Sequence, residues 1–181
     1  MEINQTGIDG LLIIKPRVFC DNRGYFFEVY SQQVFRKIAG DTVFVQDNES
    51  RSIRGVLRGL HFQNAPYDQA KLVRVVKGEV LDVAVDLRKE STTFGHHSSV
   101  RLSGENKLQL FIPRGFAHGF VVLSDEAILQ YKCDNYYAPD HEGSLLWNDP
   151  MLNIDWLIPR EEIILSEKDK CSPLLKDIII R

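Results

Sequence analysis

The clearest periodicity in the chain lies at residues 79–87, where Leu81, Val83, Val85 and Leu87 alternate with Asp82, Ala84 and Asp86. A period of two puts the two sets on opposite faces of a strand. Shorter runs of the same kind occur at 10–15, 25–29, 43–48, 56–63, 72–76, 100–102, 108–112, 118–123 and 127–133. Together they make about ten strands, with turn residues near the roughly 8–12-residue spacing of sandwiches and barrels. Asp21-Asn22-Arg23-Gly24 reads as one such turn. A helix is expected at 31–39. Val34, Phe35 and Ile38 share a face there, Ser31 is placed to cap it and Gly40 to end it. After Pro139 the alternation stops. Trp147-Asn-Asp-Pro150 and Trp156 suggest an ordered, irregular segment. Ser166 opens a short helix, and 173–175 either extends it or packs beneath the barrel. The expected class is all-β: a cupin-type jelly-roll barrel with a few short helices, as one domain over residues 1–181.

Composition narrows the functional classes. The 181 residues are 44% hydrophobic and 26% charged, with net charge −3, which suits a soluble globular domain and gives no basis for nucleic-acid binding. An anion site must then be a local cluster of Arg and Lys. Cys20, Cys133 and Cys171 are odd in number and far apart, so they read as free thiols in a reducing compartment rather than a zinc site. No apolar run is long enough to span a bilayer and no secretory segment is visible. A cytoplasmic protein without membrane contact is expected.

The chemistry concentrates in Arg58-Gly-Leu-His61-Phe-Gln63, with Lys71 on the next strand. Two cations facing an apolar interior need an anionic ligand to offset the burial of charge. Arg58 and His61 differ in strand parity, so one pocket can hold both only if the strand bulges, and Gly59 is the place for it. His118 follows the Pro113-Arg-Gly115 turn, a cupin-like signature that suggests a metal ligand. Against that, Gln63 stands where a second imidazole is needed, and an amide oxygen is a poor substitute for a borderline-soft metal. No metal and no cofactor are expected. Tyr131 alternates with Leu129 and Ala127, so it points inward, as a buried hydrogen-bonding phenol or a proton donor. Tyr136 and Tyr137 offer either packing or a stacking surface. Ser166-x-x-Asp169 reads as a capping box variant; alternatively, Asp169 fixes the tautomer of His61 and strengthens it as a base. Spacing leaves those two open.

The ordered set of motifs resembles the dTDP-4-dehydrorhamnose 3,5-epimerase family. It comprises Arg23-Gly-Tyr-Phe-Phe-Glu28, Gln46-Asp-Asn48, Arg58-Gly-Leu-His-Phe-Gln63, Gln69-Ala-Lys-Leu-Val-Arg-Val75, Asp82-Val-Ala-Val-Asp-Leu-Arg88, Ile112-Pro-Arg-Gly-Phe-Ala-His-Gly-Phe120, Tyr131-Lys132, Trp147-Asn-Asp-Pro150 and Leu165-Ser-Glu-Lys-Asp169. The resemblance implies a cofactor-free epimerase acting on a dTDP-4-keto-6-deoxy sugar, and a homodimer. It implies His61 as general base with Asp169, Tyr131 as the opposing acid, and Lys71 on the enolate oxygen with His118 nearby. Arg23, Arg58 and Lys168 become diphosphate and sugar contacts. Glu28, Gln46, Asn48 and Glu142 become further substrate contacts, and Tyr137 the stacking partner of thymine. The N-terminal strands are expected to be exchanged in the dimer, so that Arg23 and Glu28 serve the neighbour's pocket. Such an enzyme would make a rhamnose precursor for cell-surface polysaccharide or an antibiotic sugar. The chain departs from the family at His96-His97, read as surface residues, at Cys133 in place of Thr, and at Leu157 in place of Pro. Three alternatives stay open: a single-centre epimerase or 3,4-ketoisomerase, a metal-dependent cupin oxygenase, and a non-catalytic sugar-binding cupin.

Overall fold

The computed structural model describes residues 1–180 and resolves the alternating runs into thirteen strands. The first are β1 (Glu2–Gln5), β2 (Leu12–Lys15), β3 (Phe19–Asp21) and β4 (Gly24–Phe26), followed by helix α1 (Gln32–Ala39). Then come β5 (Gln46–Ile53), β6 (Leu57–Gln63), β7 (Lys71–Lys77) and β8 (Glu79–Asp86). The barrel continues with β9 (His97–Ser103), β10 (Gln109–Ile112), β11 (Phe116–Val122) and β12 (Glu126–Cys133). Last are β13 (Glu142–Ser144) and the one-turn helix α2 (Glu167–Lys170).

Two antiparallel sheets face each other, ordered β1-β2-β10-β7-β12-β5 and β13-β6-β11-β8-β9, and β3 with β4 forms a separate hairpin. The fold is the cupin-type jelly roll expected from the strand pattern. Val73 and Val75 of β7, Leu129 of β12, Val80 and Ala84 of β8 and Phe120 of β11 meet between the sheets. The alternation at 79–87 is borne out, but neither face of β8 is wet. Leu81, Val83 and Val85 pack outward against Trp147, Leu152, Trp156 and Leu175, while Asp82 and Asp86 are fully buried on the inner side. The irregular C-terminal segment is therefore the outer cover of the five-stranded sheet, and 173–175 packs beneath the barrel rather than extending α2. Asp149 ties this cover together: its two oxygens accept the backbone N–H of Met151 at 2.7 Å and of Leu175 at 2.6 Å. On the far side, Phe35 of α1 packs with Leu12, Ile14, Leu72 and Phe111 against the six-stranded sheet.

Several expectations shift. The strand expected at 43–48 is β5, displaced to Gln46–Ile53, and the one expected at 25–29 is the shorter β4. Ser31 sits at the N-cap of α1 but its side chain makes no capping bond. His97 opens β9 half-buried rather than at the surface. The bulge expected at Gly59 is present: His118 pairs with His61 and Phe120 with Arg58, so β6 carries one more residue than β11 between the two pairs. Gly59 has φ +121°, and a Cβ there would lie 2.6 Å from the Gly119 Cα. Only glycine suits that close approach.

Candidate active site

The bulge carries Arg58 and His61 to the same cavity despite their opposite parity. This cavity, about 460 Å³ at one end of the barrel, is lined by Arg58, His61, Lys71, His118, Tyr131, Lys168 and Asp169. Five elements supply them: β6, β7, β11, β12 and α2.

Asp169 makes two contacts at once, one by its backbone and one by its side chain. The Ser166 hydroxyl accepts the Asp169 backbone N–H at 3.1 Å, which opens α2. The Asp169 carboxylate, 4% exposed, lies 2.6 Å from Nε2 of His61, which is 32% exposed. A second imidazole–carboxylate pair lies deeper, with His118 Nε2 2.9 and 3.0 Å from the two oxygens of Asp82. Sequence reasoning set Asp82 on the face of β8 opposite Leu81, Val83 and Val85, without saying which face is inner and without giving it a partner. With both faces of β8 buried, a carboxylate there must find a donor, and His118 on the adjacent β11 supplies it.

Lys71 projects from the first position of β7 beside the Tyr131 ring, Nζ to centroid 6.0 Å. Burial pushes its ammonium pKa down, against the opposing pull of Cys133, Asp82 and Glu142. Burial also pushes the Tyr131 phenol up, so it keeps its proton at neutral pH. The cavity thus combines an imidazole held by a carboxylate, a protonated phenol and a desolvated ammonium. Such a set can take a proton from carbon, hold charge on an adjacent oxygen and return a proton from another direction.

The remaining candidates lie around the cavity rather than in its wall. Glu142 accepts from Lys168 Nζ at 2.6 Å and from the Tyr137 hydroxyl at 3.0 Å. Gln46 accepts the Tyr137 N–H at 3.2 Å and donates to Asn48 at 2.9 Å. Asn48 in turn donates to the buried Cys133 Sγ at 3.8 Å. Arg23 and Glu28 are not brought to this cavity. Arg23 lies at the tip of the β3–β4 hairpin, its side chain 85% exposed and paired with Asp21, and Glu28 is exposed. Gln63, at the position of a second cupin ligand, spends its amide on backbone groups of Tyr67, Tyr136 and Ala138. Among the described residues, no three His, Cys, Asp or Glu side chains gather as a metal site.

Comparison with known proteins puts this barrel and cavity among the isomerases, as an epimerase. The model of the dTDP-4-dehydrorhamnose 3,5-epimerase family matches residues 5–177. The chain is 54% identical to the dTDP-4-dehydrorhamnose 3,5-epimerase of Salmonella typhimurium, over 99% of this chain and 98% of that one. Among solved structures, the epimerase of Elizabethkingia anophelis superposes with TM-score 0.94 at 53% identity, covering 98% of this chain and 97% of that one. The dTDP-6-deoxy-D-glucose-3,5-epimerase of Legionella pneumophila, in complex with dTDP-4-keto-L-rhamnose, gives TM-score 0.94 at 50% identity, covering 98% and 94%. The chain belongs to the dTDP-4-dehydrorhamnose 3,5-epimerase family.

Proposed function

We propose that the protein inverts C3 and C5 of dTDP-4-dehydro-6-deoxy-D-glucose, giving dTDP-4-dehydro-L-rhamnose for dTDP-rhamnose biosynthesis. The observation that carries this reading is the His61–Asp169 contact of 2.6 Å in the cavity that also holds Lys71 and Tyr131. Protons at C3 and C5 are acidic because both carbons flank the C4 ketone. With Nε2–H of His61 donating to Asp169, the other ring nitrogen carries the lone pair that removes such a proton. The electron pair moves onto the ketone oxygen, where Lys71 offsets the charge. Tyr131 returns a proton to the opposite face, and the centre inverts. The ketone is the electron sink, so the step requires no cofactor. Arg58 and Lys168 supply cationic donors for the diphosphate, and Tyr137 a stacking face for thymine.

The same reading makes the enzyme a cytoplasmic homodimer, with Arg23 and Glu28 completing the neighbour's cavity. A two-stranded hairpin with three-residue strands is marginal alone, and β3–β4 exposes Phe19, Tyr25 and Phe26 by 50%, 58% and 71%. These rings call for a covering surface. Light scattering of the purified protein should give twice the 20.8 kDa chain mass.

Proton NMR of the substrate with enzyme in deuterium oxide tests the chemistry. Loss of both the C3 and C5 signals, with reductase trapping as the rhamnose nucleotide, is the expected result. Exchange at one carbon would assign a single-centre epimerase instead, and exchange at neither would refute the assignment of His61 as base.

A further inference from the structure

Gln63 lines no part of the cavity, yet its side chain reaches both sides of Tyr137. Its Nε2 donates to the carbonyl of Tyr136 at 3.2 Å and of Tyr67 at 2.5 Å. Its Oε1 accepts the N–H of Ala138 at 2.8 Å. Both amide hydrogens and the oxygen are thus engaged, in a side chain that is itself buried. From the opposite sheet, Gln46 takes the Tyr137 N–H. Glu142, the cross-strand partner of Gln63, takes the Tyr137 hydroxyl at 3.0 Å. Two sheets therefore grip the three residues 136–138 while Tyr137 stays 56% exposed. An exposed aromatic side chain normally keeps rotamer freedom. One fixed at the backbone on both sides and at its hydroxyl is ordered before any ligand arrives, which removes an ordering cost from binding.

We propose that Gln63 is a positioning residue for nucleotide recognition, setting Tyr137 as a fixed stacking face for the base of a nucleoside diphosphate sugar. This rests on the reading of Tyr137 as the base-stacking residue. Gln63 acts through Tyr137 and does not touch the substrate. In a metal-binding cupin the same strand position would carry a ligand; here it serves binding of the substrate's non-reacting end.

A double-mutant cycle tests it. Affinities for dTDP and for inorganic pyrophosphate, which has no base to stack, are measured by calorimetry on Gln63→Met, Tyr137→Ala and the double variant, with kcat and KM alongside. Stacking on one aromatic ring is worth about 5- to 150-fold in affinity, so Gln63→Met should weaken dTDP about tenfold. Pyrophosphate affinity and kcat should stay within about threefold, and the double variant should bind dTDP no more weakly than Tyr137→Ala alone. Gln63→Glu keeps the acceptor for Ala138 but turns a carboxylate oxygen toward the Tyr67 and Tyr136 carbonyls, so it should weaken dTDP at least as much as Gln63→Met. Gln63→Leu carries the cycle if Gln63→Met does not fold. Additive losses, or equal losses for dTDP and pyrophosphate, would overturn the proposal while leaving Tyr137 as the stacking residue. Unchanged dTDP affinity in Tyr137→Ala would overturn both.

Discussion

Replacing Asp169 by asparagine removes one charge and almost no volume. The backbone N–H of Asp169 still reaches Ser166 at 3.1 Å, so α2 keeps its cap. What changes is the 2.6 Å contact to His61 Nε2, made by a carboxylate only 4% exposed. A hydrogen bond to a charged group contributes about 1.5–3 kcal/mol. That contact strengthens as His61 takes a proton and becomes cationic, so its loss falls on the transition state. At about 1.4 kcal/mol per factor of ten, kcat should drop about 10- to 150-fold. KM should move little, because Asp169 stands behind the imidazole. If the new amide turns its N–H toward the ring, the wrong tautomer is favoured and the loss is larger. The assay is the rate at which the C3 and C5 proton signals disappear in deuterium oxide at saturating substrate, with the melting temperature as a control for folding. Exchange within twofold of wild type in a normally folded variant would refute the role given to the pair.

Tyr131→Phe should cut formation of the inverted product about 100-fold while solvent exchange driven by His61 persists; equal loss of both in the same NMR experiment would sink the separate acid. Lys71→Met removes a desolvated ammonium whose pKa burial pushes down. By differential scanning calorimetry it should melt about 2–4 °C higher, yet with kcat at least about 100-fold lower. Asp86 concerns stability. Burial alone would raise its pKa, but hydrogen bonds from Arg88, Ser91 and Thr93 outweigh this and hold it below its ordinary 3.8. A depressed carboxylate contributes stability above the unfolded pKa and loses it as pH falls toward the folded one. Asp86→Asn should therefore cost about 3 kcal/mol at pH 7 in urea unfolding, and the gap to wild type should narrow below about pH 4.

The strands that were legible are those with one apolar set against another kind. β8 reads at once because Leu81, Val83 and Val85 all pack beneath the C-terminal cover. β5 was misplaced for the converse reason. Its alternate positions Gln46, Asn48, Ser50 and Ser52 are polar, and so are Asp47, Glu49 and Arg51 between them. A strand whose inner face borders a polar cavity carries no hydrophobic period to read. β1 is exposed at every position, and β13 is three half-buried residues defined by pairing with β6, so neither leaves a local trace. In the site, His61, Lys71 and Tyr131 stood out by residue type and parity, and Gly59 announced the bulge. The Asp169 contact spans 108 residues, and spacing could not choose between cap and base partner. The family resemblance pointed to the partner, and the geometry has room for both. The grip on Tyr137 escaped notice because it joins side chains to backbone atoms, which no sequence pattern marks.

The His61–Asp169 pair of the proposed mechanism is assembled from distant parts of the chain. His61 belongs to a strand of the barrel, whose last strand closes at Ser144. Asp169 comes later, on a single helical turn held down by the Val56–Ile164 bridge on one side and the Asp149–Leu175 contact on the other. During synthesis, every strand has left the ribosome before the base acquires its partner. On the proposed mechanism, activity reports on the docking of the C-terminal cover rather than on closure of the barrel: loosening that cover should silence the enzyme while its jelly roll remains intact.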